Sequence, residues 1–171
     1  RASFEVARMM METRFSGDFE IVGEEYVPLK NLAMAEEVAR KALAAKPDLI
    51  INTLNGLRVN EKFFGELRKG EKSGAEAKGR VPVVSLSLTE RDLEKTEEPS
   101  LFAGDYLIWS YLSSIAGEEN QRFKKICAEK MSPAVAPYDP LEAIYYGVLL
   151  WANAEELALF KQSSSESGGD K

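Results

Sequence analysis

Neutral hydroxyl and amide side chains follow two short apolar runs in this sequence, and their types and spacing could bind a ligand. The first run ends in Asn52, Thr53 and Asn55, directly before a glycine, and the second ends in Ser85 and Ser87. These side chains form hydrogen bonds without carrying a charge. In an open α/β sheet such strand ends face the ligand crevice. The alternative is that each group only caps a turn or satisfies a nearby backbone amide.

Composition argues against several other kinds of site. The chain of 171 residues has no histidine and one cysteine, Cys127, which we expect to be a small buried apolar side chain. Hydrolase triads and zinc sites are therefore disfavoured, and no G-x-S-x-G sequence supports a doubly wound hydrolase. A formal net charge of -6 without a cluster of basic residues argues against nucleic-acid binding. We expect a small neutral ligand or a protein partner, with no metal and no cofactor.

Alternating strand and helix patterns predict an α/β fold with an open, mostly parallel, doubly wound sheet. The run that begins at Leu49 is typical of a strand buried on both faces, which places Ile50 and Ile51 at the centre of the sheet. Further strands are predicted at residues 19–27, 81–88 and 101–115. Helices are predicted at about residues 2–15, 32–45, 60–69, 118–130 and 139–160, with Asn60 as an N-cap and Thr89 with Asp92 as a capping-box pair.

The order of motifs along the chain resembles a known family. The motifs are KPDLIINTLNG, FFGELRKG, VPVVSLSLTERDL, AGDYLIWSYLSSI, NQRFKKICAEK and DPLEAIYYGVLLWANA, and they extend over about residues 1–158. They resemble the urea- and short-chain-amide-binding proteins of ABC transporters, which are type I periplasmic binding proteins of the branched-chain amino-acid-binding kind. The most specific pieces are NTLNG, PVVSLSLTE and the last helix. The resemblance implies a solute-binding domain that is not an enzyme.

In that family two α/β lobes close on a ligand, and the resemblance implies that this chain is most of the second lobe. Residues 1–137 would form a partial ligand-binding lobe, residues 138–160 a helix that crosses toward the first lobe, and residues 161–171 a disordered tail. The first lobe, a strand before Arg1 and the signal peptide would lie outside this sequence. The partners would be that lobe and the transporter's membrane subunits, and the parent protein would be periplasmic or extracytoplasmic.

Carried over position by position, the resemblance places the ligand contacts at Thr53, Leu54, Ser85 and Ser87. An amide or urea offers both donors and an acceptor, which hydroxyls and strand-end backbone groups match without a charge. The alternative function is a ligand-sensing module of the same fold, either fused to a signalling domain such as a kinase or acting as an amide-responsive regulator. The Ser-rich end of the chain fits that alternative. The sequence upstream of Arg1 in the parent gene would distinguish transport from sensing.

The predicted last helix is apolar on almost every side between Ile144 and Trp151. Such a helix needs cover on several sides. The resemblance assigns this helix to the interface with the first lobe. We therefore predict that part of Tyr145, Tyr146, Leu149 or Trp151 is exposed in this chain, in a patch of about a few hundred Å².

Overall fold

The fold is built on a small parallel sheet. The computed structural model describes residues 2–15, 17–73, 79–131 and 137–166. Three strands, β1 (Ile50–Asn52), β2 (Val83–Ser85) and β3 (Tyr106–Leu107), pair in parallel in that order. The helices in these described ranges are α1 (Ala2–Arg14), α2 (Leu32–Ala44), α3 (Leu57–Ser73), α4 (Glu90–Lys95), α5 (Glu118–Lys130) and α6 (Asp139–Glu166). The predicted α/β class with an open parallel sheet is confirmed.

Two helices begin at side chains that cap them. The Asn31 side chain accepts a hydrogen bond from Met34 N at 3.1 Å and caps α2. At α4 the predicted capping box is confirmed, since Thr89 Oγ1 accepts from Asp92 N at 3.2 Å and Asp92 Oδ2 accepts from Thr89 N at 2.9 Å. Each cap satisfies backbone donors that the first helical turn leaves without partners.

The hydrophobic core lies between the sheet and helices α2 and α3. Phe64 and Leu67 of α3 and Val83 of β2 are fully shielded from solvent, and Ala35 of α2 packs with them. The ring of Phe64 lies 4.7 Å from that of Phe102 between centroids. Burying a side chain of this size contributes about 1.5–3 kcal/mol. The core thereby fixes α3, including its first turns, against the sheet.

The chain divides into two compact units, Arg1–Trp109 and Ser110–Lys171. The first unit contains the sheet and helices α1 to α4, and the second contains α5 and α6. In the second unit Phe123 and Cys127 of α5 are buried, which confirms the expectation for Cys127. Burial also raises the pKa of the Cys127 thiol, which favours the protonated, unreactive form. The rings of Phe123 and Tyr145 lie 5.0 Å apart between centroids, so α5 and α6 share aromatic contacts.

The prediction that Ile50 and Ile51 occupy the centre of the sheet is wrong. β1 is an edge strand among the described residues, and the central strand is β2. Both isoleucines are half-buried, and the adjacent Leu49 is 47% exposed. An apolar run indicates that both faces of a strand are covered, but it carries no information on how many strands pair along its edges.

Two other predicted strands also differ from the structure. Residues 19–27 form no strand and pair with none in the described part of the chain, and Ile21 and Val22 are exposed. A segment with the composition of a strand becomes one only where a neighbour pairs with its backbone hydrogen-bonding groups. In the segment 101–115 only Tyr106–Leu107 is a strand, and a 3₁₀ turn at Pro99–Leu101 stands before it.

Helix α6 carries apolar side chains that remain exposed. Leu150 is 69% and Trp151 is 66% exposed, and Tyr146 and Leu149 are exposed as well, so the predicted exposure is confirmed. The helix runs to Glu166 and so continues past residue 160, where its end was predicted, while residues 167–171 lie outside the described ranges. No helix among the described residues, α6 included, has the length and apolar character needed to cross a membrane.

Candidate ligand-binding site

The carboxyl ends of β1 and β2 lie side by side and bring the predicted site residues together. The parallel register pairs Asn52 with Ser85. Leu86 N donates to Asn52 O at 2.9 Å, which extends the ladder past the strands. Beyond that point the two segments still touch, since the Ser87 hydroxyl donates to Leu54 O at 2.7 Å. Residues predicted from both strands therefore share one edge of the sheet.

Two buried asparagines hold this edge, Asn52 at 3% exposure and Asn60 at 0%. Asn52 Nδ2 donates to Asn60 Oδ1 at 2.8 Å and to Ser85 Oγ at 3.0 Å. Asn52 Oδ1 accepts from Leu54 N at 2.9 Å. Asn60 Nδ2 donates to Leu54 O at 2.7 Å and to Gly56 O at 3.0 Å. Both amide groups are thus fully used, as burial of polar groups requires.

The predicted contact residues differ in what they leave available to a ligand. Ser85 is only 2% exposed, and its hydroxyl accepts from Asn52. Ser87 is half-buried and gives its proton to Leu54 O, which leaves its oxygen free to accept. Leu54 is half-buried, with its side chain against the core. Thr53 is half-buried, and its hydroxyl makes no hydrogen bond with any part of the chain that the structure describes.

A glycine makes the reversal between β1 and α3 possible. Gly56 has a φ of +97°, a conformation that side chains with a Cβ rarely adopt. Its carbonyl accepts from Asn60 N at 3.2 Å as well as from the Asn60 side chain. The turn thereby brings residues 53–56 back over the end of the sheet.

The asparagine, serine and threonine side chains that meet at this edge are all neutral. The next hydroxyl along the chain, Thr89, is used in the cap of α4 and donates to Asp92 Oδ2 at 2.7 Å. Because no member of the asparagine and serine network titrates, its hydrogen bonds do not depend on pH while the fold persists. Over the described residues, no group of three or more His, Cys, Asp or Glu side chains is placed to hold a metal ion.

An aromatic side chain joins the end of β3 to the segment after β2. The indole N–H of Trp109 donates to the backbone carbonyl of Leu88, and the ring is half-buried. A tryptophan in such a position combines a large apolar surface with one satisfied polar group. Trp109 therefore fixes the residues that follow Ser87.

Sequence reasoning missed the structural part that Asn60 plays. The prediction that Asn60 caps α3 is wrong, because α3 begins at Leu57 and Asn60 lies inside it. Its side chain turns back to the loop before the helix rather than to the helix's own backbone donors. An asparagine inside a helical pattern is unfavourable unless its amide has a specific partner. The presence of an asparagine inside a helical pattern was therefore the signal in the sequence that its amide has a specific partner.

A separate cavity of about 280 Å³ lies beside α1, where it is lined by Arg8, Glu12, Gly17, Phe19 and Ile21. The charged groups there are exposed and pair with each other, with Arg8 Nε 2.8 Å from Glu12 Oε1. None of the predicted site residues lines this cavity. It contributes no group to the site at the strand ends.

Comparison with known families agrees with this architecture. The sequence matches the family model described as "Periplasmic binding protein domain" over residues 3–165. The chain belongs to the periplasmic binding protein family. The match covers the sheet and both units, so the resemblance found in the motifs is confirmed at the level of the family. Members of the family bind small solutes and generally are not enzymes. No curated protein matches the sequence significantly.

Proposed function

We propose that this periplasmic binding protein domain is the second lobe of a two-lobed receptor that binds urea or a short-chain amide for an ABC transporter. The observation that carries the proposal is the uncharged edge at the ends of β1 and β2. There Thr53 retains a hydroxyl that makes no hydrogen bond within the described chain, beside Leu54, whose N–H and carbonyl are both hydrogen-bonded.

The chemistry of this edge suits a small amide. Urea and acetamide each present N–H donors and a carbonyl acceptor, and a threonine hydroxyl can serve either one. The Ser87 oxygen adds an acceptor, since its proton is given to Leu54 O. A few well-placed polar groups of this kind fix the orientation of a small ligand.

A charged ligand is a poorer match for the same edge. An ion enclosed here would lose its hydration without a counter-charge from the asparagine and serine network. That loss is much larger than the loss for a neutral amide. The resemblance to amide-binding proteins and the neutral edge therefore favour the same class of ligand.

The proposed receptor encloses its ligand between two lobes. This domain offers one wall, and the first lobe of the parent protein would supply the other by hinge closure. The receptor would act outside the cytoplasm and deliver its ligand to the membrane subunits of the transporter. The exposed apolar side chains of α6 are consistent with a helix that contacts another part of the parent protein.

The test is isothermal titration of the parent protein, with both lobes present, against urea, acetamide and leucine. We expect saturable binding of urea or acetamide and no binding of leucine, because its ammonium and carboxylate find no counter-charge in the asparagine and serine network. Binding of leucine alone, or of none of the three, would overturn the proposed ligand class.

A further inference from the structure

We propose that Asn60 is a positioning residue for the ligand: its amide fixes the peptide of Leu54 and thereby sets where the Thr53 hydroxyl stands. The inference deepens the proposed function and rests on it for the identity of the ligand. According to this inference, Asn60 of α3 affects the affinity for the ligand without contacting the ligand itself.

The Asn60 side chain makes all of its hydrogen bonds with β1 and with the loop residues that precede α3. The Oδ1 atom accepts from Asn52, and both protons of Nδ2 are given to the carbonyls of Leu54 and Gly56. The side chain is 0% exposed, so water replaces none of these bonds. If this position only had to fill the core, an apolar side chain such as leucine would be sufficient, and no hydrogen-bond partners would be needed.

The peptide groups around Leu54 are held from several directions. Its N–H is bonded to Asn52 Oδ1 at 2.9 Å, while its carbonyl accepts from Asn60 at 2.7 Å and from Ser87 at 2.7 Å. Thr53 stands between this fixed peptide and the end of β1. Its backbone therefore has little freedom, and the direction of its side chain is set before a ligand arrives.

Such fixing affects affinity because ordering a loop during binding costs free energy. A loop already in the ligand-bound shape avoids that cost. Supporting side chains that lock the direct contacts determine how well a site binds, even without touching the ligand. Loss of the Asn60 amide would remove one of the two bonds to the Leu54 carbonyl and the bond to Asn52, which loosens this segment while leaving the Thr53 hydroxyl in the sequence.

The experiment compares Asn60→Leu with Phe64→Leu in the parent protein with both lobes. Phe64 lies one turn further along α3, is fully buried and makes no hydrogen bond to the loop, so its substitution controls for loss of stability. Affinity for acetamide is measured at a temperature where both variants are fully folded. We expect Asn60→Leu to weaken binding about tenfold or more and Phe64→Leu to stay within about twofold of the wild type.

A second measurement reports on the loop without any ligand. Amide hydrogen exchange of Leu54 N–H, followed by NMR in this chain, should accelerate in Asn60→Leu relative to Phe64→Leu. Asn60→Ser, which removes the two carbonyl contacts with a smaller change of volume, serves for both measurements if the leucine variant does not fold. It should weaken binding in the same direction.

The outcomes separate the two proposals. If the wild type binds neither urea nor acetamide, the proposed ligand is wrong, and Leu54 exchange still tests the positioning. If the wild type binds and the Asn60 variants bind equally well, Asn60 is only a core residue. Equal losses in the Phe64 and Asn60 variants, or unchanged Leu54 exchange, would also overturn the inference.

Discussion

Asp105 and Arg68 form a buried ion pair in which Arg68 Nη2 lies 2.5 Å from Asp105 Oδ2, and each side chain is 6% exposed. Arg68 also pairs with Glu71 at 2.6 Å. Asp105 accepts a further hydrogen bond from Val83 N at 3.0 Å, at the start of β2. The pair thus joins α3 to the amino ends of β2 and β3, at the end of the sheet opposite the candidate site.

We expect Asp105→Ala to lower the free energy of unfolding by about 3 kcal/mol, because it leaves the buried Arg68 with less counter-charge and Val83 N without an acceptor. Chemical unfolding followed by circular dichroism would measure the loss. Guanidinium chloride is the denaturant of choice, since urea is a proposed ligand.

Arg80 provides the matched control for this prediction. Its Nη2 also lies 2.8 Å from Asp105 Oδ2, but its side chain is 35% exposed. Ion pairs with a solvated partner contribute about 0–1 kcal/mol, so Arg80→Ala should cost much less than Asp105→Ala. Equal losses in the two variants would show that burial does not decide the strength of this cluster.

A second ion pair predicts a pH dependence of stability. Glu66 of α3 accepts a hydrogen bond from Arg40 of α2 at 2.8 Å, and this bond is the main cause that lowers the pKa of the Glu66 carboxyl from its ordinary value of 4.5. A carboxyl whose pKa is lower in the folded state stabilises the fold above the unfolded-state pKa. That contribution is lost as the pH falls through the folded-state pKa.

Glu66→Gln should therefore lower the melting temperature at about pH 7, and the difference from the wild type should shrink as the pH falls below about 4.5. Thermal unfolding at stepwise lower pH gives the measurement. Arg40→Met should show the same pH dependence, and adding Glu66→Gln to it should have little further effect. A difference that stays constant with pH would contradict the assignment.

The strand ends illustrate what the sequence predicts well. Apolar runs that turn polar before a glycine or a cap placed Thr53 and Ser87 at one edge, and the structure brings their segments together. These signals are local, because a strand's polar end and a helix cap depend on a few neighbouring residues. The capping box at Thr89 was predictable for the same reason.

The sheet order and the asparagine network were not predictable in this way. The position of β1 at the edge depends on which segments pair with it, and pairing partners are distant in sequence. Residues 19–27 have the composition of a strand but lack a described neighbour to pair with. The contact between Asn52 and Asn60 depends on where α3 begins. The exact start of a helix is difficult to predict from sequence, and here it also depends on the loop before α3, to which the Asn60 side chain is bonded.

The exposed surface of α6 predicts self-association of this chain. Within the described part of the helix, Leu150 and Trp151 are 69% and 66% exposed, and both lie in a segment without charges between Glu142 and Glu155. Exposed apolar side chains that adjoin one another are typical of an interaction site. We expect concentration-dependent dimers or larger species in analytical ultracentrifugation.

A single charge should weaken this association. Trp151→Glu removes an apolar side chain whose burial contributes about 2 kcal/mol and adds a group that resists burial, so the dissociation constant should rise at least about tenfold. Asn153→Gln, an exposed neutral position on the same helix, is the control and should change little. A chain that remains monomeric at every concentration would refute the prediction.

The last prediction follows from the proposal that this chain is one lobe of a two-lobed receptor. A two-lobed receptor forms part of its hydrogen bonds from each lobe, while the costs of desolvating and ordering the ligand remain when one lobe is absent. Losing two or three hydrogen bonds of about 1 kcal/mol each, together with enclosure, should weaken binding by about two orders of magnitude or more. We therefore expect the 171-residue chain to show no calorimetric binding of urea or acetamide.

Substitutions in the proposed two-lobed parent protein would show which residues contact the ligand. Thr53→Val keeps the shape of the side chain but removes its hydroxyl, and Ser87→Ala removes an acceptor together with the bond to Leu54 O. Each should weaken binding of the amide by about fivefold to tenfold, the equivalent of one hydrogen bond. Thr96→Val is the control, because the Thr96 hydroxyl bonds Glu61 at 2.8 Å and none of the predicted contact residues. Tight binding by the isolated chain, or unchanged affinity in both the Thr53 and Ser87 variants, would place the ligand elsewhere in the fold.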